Sequence, residues 1–277
     1  MRHQSILEFA RFRWLKWSLL LVAICSVAYL GHEPPVKPYG GSWLGYTLGT
    51  VGALLILWLL YYGVRKRRYA SRVGTVQGWL SAHVYLGTAL IVVATLHSGF
   101  ELGWNVHTLA YVLMLLVVVS GFYGVYMYLR VPRLMTDNLG EESIDSLLLH
   151  IADADRELRE KSISLPDQPL AAVDRSLRES RLGGSFLRLV SGRDRRCPTR
   201  AAVQAWPELT RGIEGDAGKL AKDVFALLLQ KDQMLERGRR QLRHQAMLEL
   251  WLFVHVPLAV MLLAALAAHV VSVFIYW

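Results

Sequence analysis

Long apolar runs alternate with short basic ones along this chain. Five stretches, at about residues 13–31, 43–64, 75–97, 107–130 and 246–275, are apolar over most of their length. A hydrocarbon core ~30 Å thick takes ~20 residues of helix to cross, so each stretch predicts a transmembrane helix. Residues 131–243 change character. There EESIDSLLLHIADADRELREK places apolar residues at 144, 147, 148, 151 and 158 among charges, the pattern of an amphipathic helix capped from the Ser143 or Glu141 region. The glycine-, proline- and arginine-rich middle that follows, including GGSFLRLVSGRDRRCPTR, predicts loop with one short strand. From about Ala217 to Gln245 the pattern is helical again, interrupted only by Gly238, which predicts a helix running straight into the fifth span. The expected fold class is all-α: an integral membrane bundle of five transmembrane helices with an α-helical cytoplasmic insertion between spans four and five. The domains are residues 1–130 for the first four spans, 131–243 for the insertion and 244–277 for span five.

Composition agrees with the pattern, since 53% hydrophobic residues and a mean hydropathy of +0.30 are too apolar for an ordinary soluble protein. The first run begins after Phe12, is long enough to span and has no small-residue cleavage site before HEPP, so it is expected to be a retained anchor. Lys and Arg set the orientation. The N-terminus (Arg2, Arg11, Arg13, Lys16), the loop RKRRYASR and the segment from Arg130 to Arg243 are basic, whereas the two opposite loops carry only Lys37. Basic loops stay in the cytoplasm. The expected protein is therefore multi-pass in a bacterial-type inner membrane, N-terminus cytoplasmic and C-terminus external, with lipid its first partner. Trp43 and Tyr46 at one end of span two, and Trp58, Tyr61 and Tyr62 at the other, fit interfacial aromatic belts. The net charge of +9 is mainly a topology signal: residues 131–243 hold 20 Lys and Arg against 18 Asp and Glu, a balance of +2. Nucleic acid is excluded as a partner on that ground. Two cysteines, Cys25 and Cys197, provide neither a disulfide framework nor an iron–sulfur ligand set. Residues 131–243 also lack a nucleotide fingerprint and read as a docking or bundle-extending element.

The chemistry-bearing residues lie inside the spans. HVYLGTALIVVATLH, His83 to His97, and HVPLAVMLLAALAAH, His255 to His269, each place two histidines around thirteen uncharged residues. Fourteen helical steps of ~100° fall about 40° short of four turns, so each pair shares a face and is separated by ~21 Å along the axis. Spans three and five both run outward. His83 lies eight residues past Thr75 and His255 nine past Ala246, so the four imidazoles form two levels with two rings each. An ionisable residue inside a membrane is costly and points to function. Zinc takes four ligands, or three and a water, and two histidines with no carboxylate or thiolate in the spans leave that shell unfilled. Haem iron takes four nitrogens from the porphyrin and two axial ligands from protein, which two facing helices supply. Two b-type haems, held non-covalently, are the expected cofactors. Gly87, one turn from His83, together with Ser98, Gly99, Ala265 and Ala268, suits a flat macrocycle between helices, although small residues also serve plain helix packing.

The two histidine frames resemble the bis-histidyl b-type cytochromes of the ferric reductase and NADPH oxidase transmembrane class, and are similar in spacing to cytochrome b of quinol-oxidising complexes. The resemblance covers spans three and five with span four between them. It implies that His83 pairs with His255 on the cytoplasmic haem and His97 with His269 on the external one, and that the function is electron relay across the membrane. Those reductases usually carry a flavin and NADPH domain in the same chain, and this sequence has none. The implied donor is a quinone or quinol, or a cytoplasmic source, with a soluble or peripheral redox subunit (iron–sulfur, flavin or multihaem) as partner.

Other residues have competing readings. Arg65, Lys66, Arg67, Arg68 and Arg72 are topology anchors, with Arg68 the candidate to meet a propionate of the inner haem. His107 and His32 read as interfacial histidines facing water or headgroups; a third haem is the alternative if span one packs against span four. His3, His150 and His244 read as solvated or structural. Glu101, Trp104 and Asn105 lie where a quinone or an external partner would meet the outer haem, and loop polarity explains them equally. Pro257 is expected to bend span five. The four spanning histidines themselves have other readings: hydrogen-bonded core residues, a His-lined proton or metal-ion transporter, or incidental groups in a membrane scaffold for a redox complex.

Overall fold

The computed structural model describes residues 6–33, 40–67, 74–140, 142–183, 190 and 197–275. The described residues are overwhelmingly helical and contain no strand. A short 3₁₀ turn, Ile6–Glu8, precedes α1 (Arg13–Leu30), α2 (Trp43–Arg67), α3 (Val76–Ser98) and α4 (Val106–Leu139). Then come α5 (Ile144–Ser162), α6 (Asp167–Glu179), α7 (Pro198–Leu209) and α8 (Gly215–Ile275). The helices α1, α2, α3, α4 and α8 contain windows long and apolar enough to cross a membrane, so the chain is built as a multi-pass membrane protein. The chain packs as two units, one of residues 1–126 with 251–277 and one of residues 127–250.

In the first unit α3 is central, packing closely on α2 and more extensively on α1 than α2 does. Its N-terminus is fixed by Thr75, whose hydroxyl accepts from the Gly78 N–H at 3.1 Å, and the Arg65 guanidinium reaches the Gly74 carbonyl at 2.7 Å. Arg65 is thus a buried side chain that clasps the ends of its own loop rather than a free anchor. Arg68 and Arg72 lie outside the described residues. Trp58 of α2 stacks on Trp79 of α3 with ring centres 4.9 Å apart. The principal core of this unit is aliphatic: Ile56, Leu90, Leu113, Met114, Leu262 and Ala265 are buried together. Leu90 and Leu262 each stand seven residues from both histidines of their own helix, so this core fills the space midway between the histidine levels.

The second unit departs from the sequence expectation. Residues 167–179 and 198–209 are helices, not loop. Prolines conceal both: Pro169 falls in the first turn of α6 and Pro198 at the start of α7, where a missing N–H costs nothing because those N–H groups have no intrahelical partner. The expected strand in GGSFLRLVSGRDRR falls mainly on residues 184–189 and 191–196, outside the described residues. Ser143 caps α5 in a reciprocal capping box with Ser146. Leu158, Leu165, Val173, Trp206, Val224 and Leu228 form this unit's core. Beside it Lys231, 1% exposed, pairs with Asp155 at 2.6 Å and donates to the Ser176 carbonyl at 2.9 Å. Arg200 bridges Asp232 and Glu236. Gly238, the apparent break in the helical pattern, lies within α8, and a Cβ there would meet Leu182 Cδ2 at 2.1 Å. Close packing selects the glycine. The helix continues through it to Ile275, past Pro257 as well.

Candidate functional site

The outer histidine level is built from α2, α3, α4 and α8. His97, in the last turn of α3, points its Nδ1 at the Gly45 carbonyl of α2, 2.7 Å away. Gly49, one turn further along α2, leaves the ring its space: a Cβ there would stand 2.6 Å from Cε1 of His97. The His97 and His269 rings lie 5.9 Å apart, centre to centre, with planes at 82°. His107, second residue of α4, joins them, its ring centre 4.3 Å from that of His269 and its Nδ1 hydrogen-bonded to His269 Nδ1. The exposed histidine expected to face only water or headgroups is therefore part of the outer cluster. Its backbone is fixed by Asn105, whose side-chain oxygen accepts from the Thr108 N–H at 2.9 Å. That helix-capping role accounts for Asn105, while Trp104 and Glu101 are exposed. His32 is not brought to His107; it sits edge-on to Trp43 at 5.2 Å.

The inner level has the same logic with different partners. His83 Nδ1 lies 3.2 Å from the Leu59 carbonyl of α2, and Tyr62 lies beside the ring with centres 5.1 Å apart. His255 Nδ1 lies 2.8 Å from the Ser120 hydroxyl of α4. Trp251, one turn before His255 on α8, donates its indole N–H to the Ser120 carbonyl at 2.7 Å. Gly124 gives that indole room, and Gly121 passes 3.7 Å from His255 Cε1, measured from a Cβ built on the glycine. Leu59 and Leu258, neighbours of the two inner rings, pack on the one aliphatic core. At Gly87 a Cβ would meet only Leu59 Cδ1, at an ordinary 3.9 Å.

These partners decide protonation. A carbonyl can only accept, so His83 and His97 must carry their proton on Nδ1 in the neutral ring. Ser120 Oγ lies 2.8 Å from both the Val117 carbonyl and His255 Nδ1, so with its single proton on the Val117 bond the hydroxyl accepts from His255 and the proton of that ring sits on Nδ1 too. In all three rings Nε2 keeps a lone pair and has no hydrogen-bond partner among the described residues. An imidazole held this way is prepared to ligate a metal through Nε2. Among the described residues no group of three or more His, Cys, Asp or Glu side chains is placed to hold a metal ion. Haem iron, however, draws only two ligands from protein.

Sequence reasoning found the four rings and named His107 in another role, but missed the other groups that set them: Gly45, Gly49, Leu59 and Ser120. The glycines at 45, 49 and 52, spaced four and three apart on one face of span two, were the available signal. Compared with protein-family models, curated proteins and solved structures, the chain matches none. The resemblance to dihaem cytochromes therefore rests on the histidine frame.

Proposed function

We propose that this protein is a membrane-embedded dihaem b-type cytochrome that relays electrons across the membrane. The observation that carries the reading is that Nδ1 of His83, His97 and His255 each lies against an oxygen of α2 or α4, an arrangement that leaves Nε2 for a ligand. At the outer level the residues present fit the group. The His97 and His269 rings, with centres 5.9 Å apart, would both reach a group bound between α3 and α8. His83 and His255 would hold the inner haem, His97 and His269 the outer one. Bound there, haem supplies one-electron redox chemistry, and bis-histidine ligation closes the iron to substrate. The chain's own residues orient the imidazoles, exclude water and set the spacing of the levels. Arg65, engaged with Gly74, holds the cytoplasmic loop instead of a propionate in this assignment.

The donor is a quinone or a cytoplasmic electron source, and the acceptor a soluble or peripheral redox subunit of iron–sulfur, flavin or multihaem type. Residues 131–243 are the docking element for such a partner. The membrane is of the bacterial inner type, with the N-terminus cytoplasmic and the C-terminus external, by the distribution of Lys and Arg. A His-lined proton or metal-ion path is the competing reading, favoured only by the clustering of His97, His107 and His269. The aliphatic layer of Leu90, Met114 and Leu262 speaks against a continuous path between levels. Purified protein is expected to show a low-spin b-haem spectrum with two haems per chain, and His97→Ala one haem per chain. A colourless protein after expression with ample haem, or His97→Ala with two haems, overturns the proposal.

A further inference from the structure

Nδ1 of His83 and His97 faces a carbonyl, and Nδ1 of His255 the Ser120 hydroxyl; His269 has no such oxygen. Its Nδ1 faces another imidazole nitrogen, Nδ1 of His107, so one of the two must donate and the other accept. Either ring can in principle be the donor, and the two choices have opposite consequences. If His107 donates, the proton of His269 sits on Nε2 and blocks ligation. If His107 accepts, His269 matches the other three.

We propose that His107 is a positioning residue for His269, accepting its Nδ1–H and thereby freeing His269 Nε2 for the outer haem. The inference rests on the dihaem reading and goes beyond it by giving a role to a histidine outside the two frames. Surroundings decide the direction. His107 is exposed at the start of α4, so its remaining N–H meets water or headgroups. His269 is half-buried beside His97, and an N–H on its Nε2 has no acceptor among the described residues. An N–H left unpaired in such a place loses solvation without a bond in return. The edge-on arrangement, with planes at 86°, fits a bond of this kind. The cap from Asn105, reinforced by the Gly103 N–H donating to the Thr108 hydroxyl at 3.0 Å, holds the His107 backbone at that point.

The test uses the full chain in lipid nanodiscs, with histidine labelled by ¹⁵N and the His269 signals assigned by their loss in His269→Ala. In haem-free protein, His269 is expected to show a protonated Nδ1 and an unprotonated Nε2. His107→Leu should convert it to a tautomer mixture, and His107→Gln, whose amide oxygen accepts, should restore the wild-type pattern. In haem-loaded protein, a redox titration of His107→Leu should show the outer haem's midpoint potential shifted upward, because a ligand without its hydrogen bond is less basic. The inner haem should not move, and His107→Gln should return the outer one toward wild type. Unchanged ¹⁵N shifts and potential in His107→Leu overturn the inference. So does complete loss of the outer haem in both variants, which would make His107 itself a ligand. Wild-type protein that takes up no haem defeats the dihaem reading instead, and the ¹⁵N result then decides the hydrogen bond alone.

Discussion

Gly49 and His97 are in direct apposition across α2 and α3: a Cβ on the glycine would stand 2.6 Å from Cε1 of the imidazole and 2.9 Å from its Nδ1. Those approaches are shorter than a methyl group permits, so Gly49→Ala must push the ring off the Gly45 carbonyl. On the dihaem reading proposed above, the expected outcome is one haem per chain in place of two, with a stability loss of about 1–3 kcal/mol, the usual scale for overpacking. Haem stoichiometry by pyridine haemochrome and thermal unfolding check it; two haems with wild-type stability would mean the ring has another resting place.

Ser120 is the corresponding residue at the inner level. Ser120→Ala removes the acceptor of His255 Nδ1–H and keeps the carbonyl that holds Trp251. Losing such a partner typically lowers metal affinity 10–100-fold. Haem titration should therefore show the inner site weakened by that factor and the outer site unaffected. Equal weakening of both would point to general loosening of the bundle.

Gly124→Ala tests the packing behind that contact. An added Cβ would lie 2.0 Å from Cζ2 of Trp251, which cannot yield without giving up its bond to Ser120. We expect a destabilisation of about 1–3 kcal/mol and a red shift of tryptophan emission. An unaltered unfolding midpoint would contradict the packing described.

In the second unit, Asp155→Ala strands a Lys231 ammonium that is 1% exposed, whereas Lys231→Met removes the charge with similar bulk. Breaking one partner of a buried pair costs about 3–5 kcal/mol, while apolar replacement is often close to neutral. Denaturant unfolding should rank Asp155→Ala well below Lys231→Met. The reverse order would show that the pair itself, rather than the stranded charge, dominates.

The five spans were legible in the sequence because length and apolarity alone specify them, and the histidine frames because helical arithmetic carries across fourteen residues. Ser143 was legible as a cap from its place before an amphipathic run. The helices α6 and α7 were not: Pro169 and Pro198 read as breakers, and only their first-turn positions make them harmless. The partners of the rings were hidden for a different reason. Gly45 lies 52 residues from His97 and Ser120 lies 135 from His255, so no local pattern joins them.

The oily layer of Leu90, Met114 and Leu262 also governs how the two levels feel one another. Poorly polarisable filling screens charge weakly. Across the ~21 Å of helix between histidine levels, and with an effective permittivity of ~20, a unit charge at one level raises the energy of a like charge at the other by about 0.8 kcal/mol. An electron resting at one station would thus hinder the arrival of a second, so the two centres would charge one after the other even if their intrinsic affinities were the same.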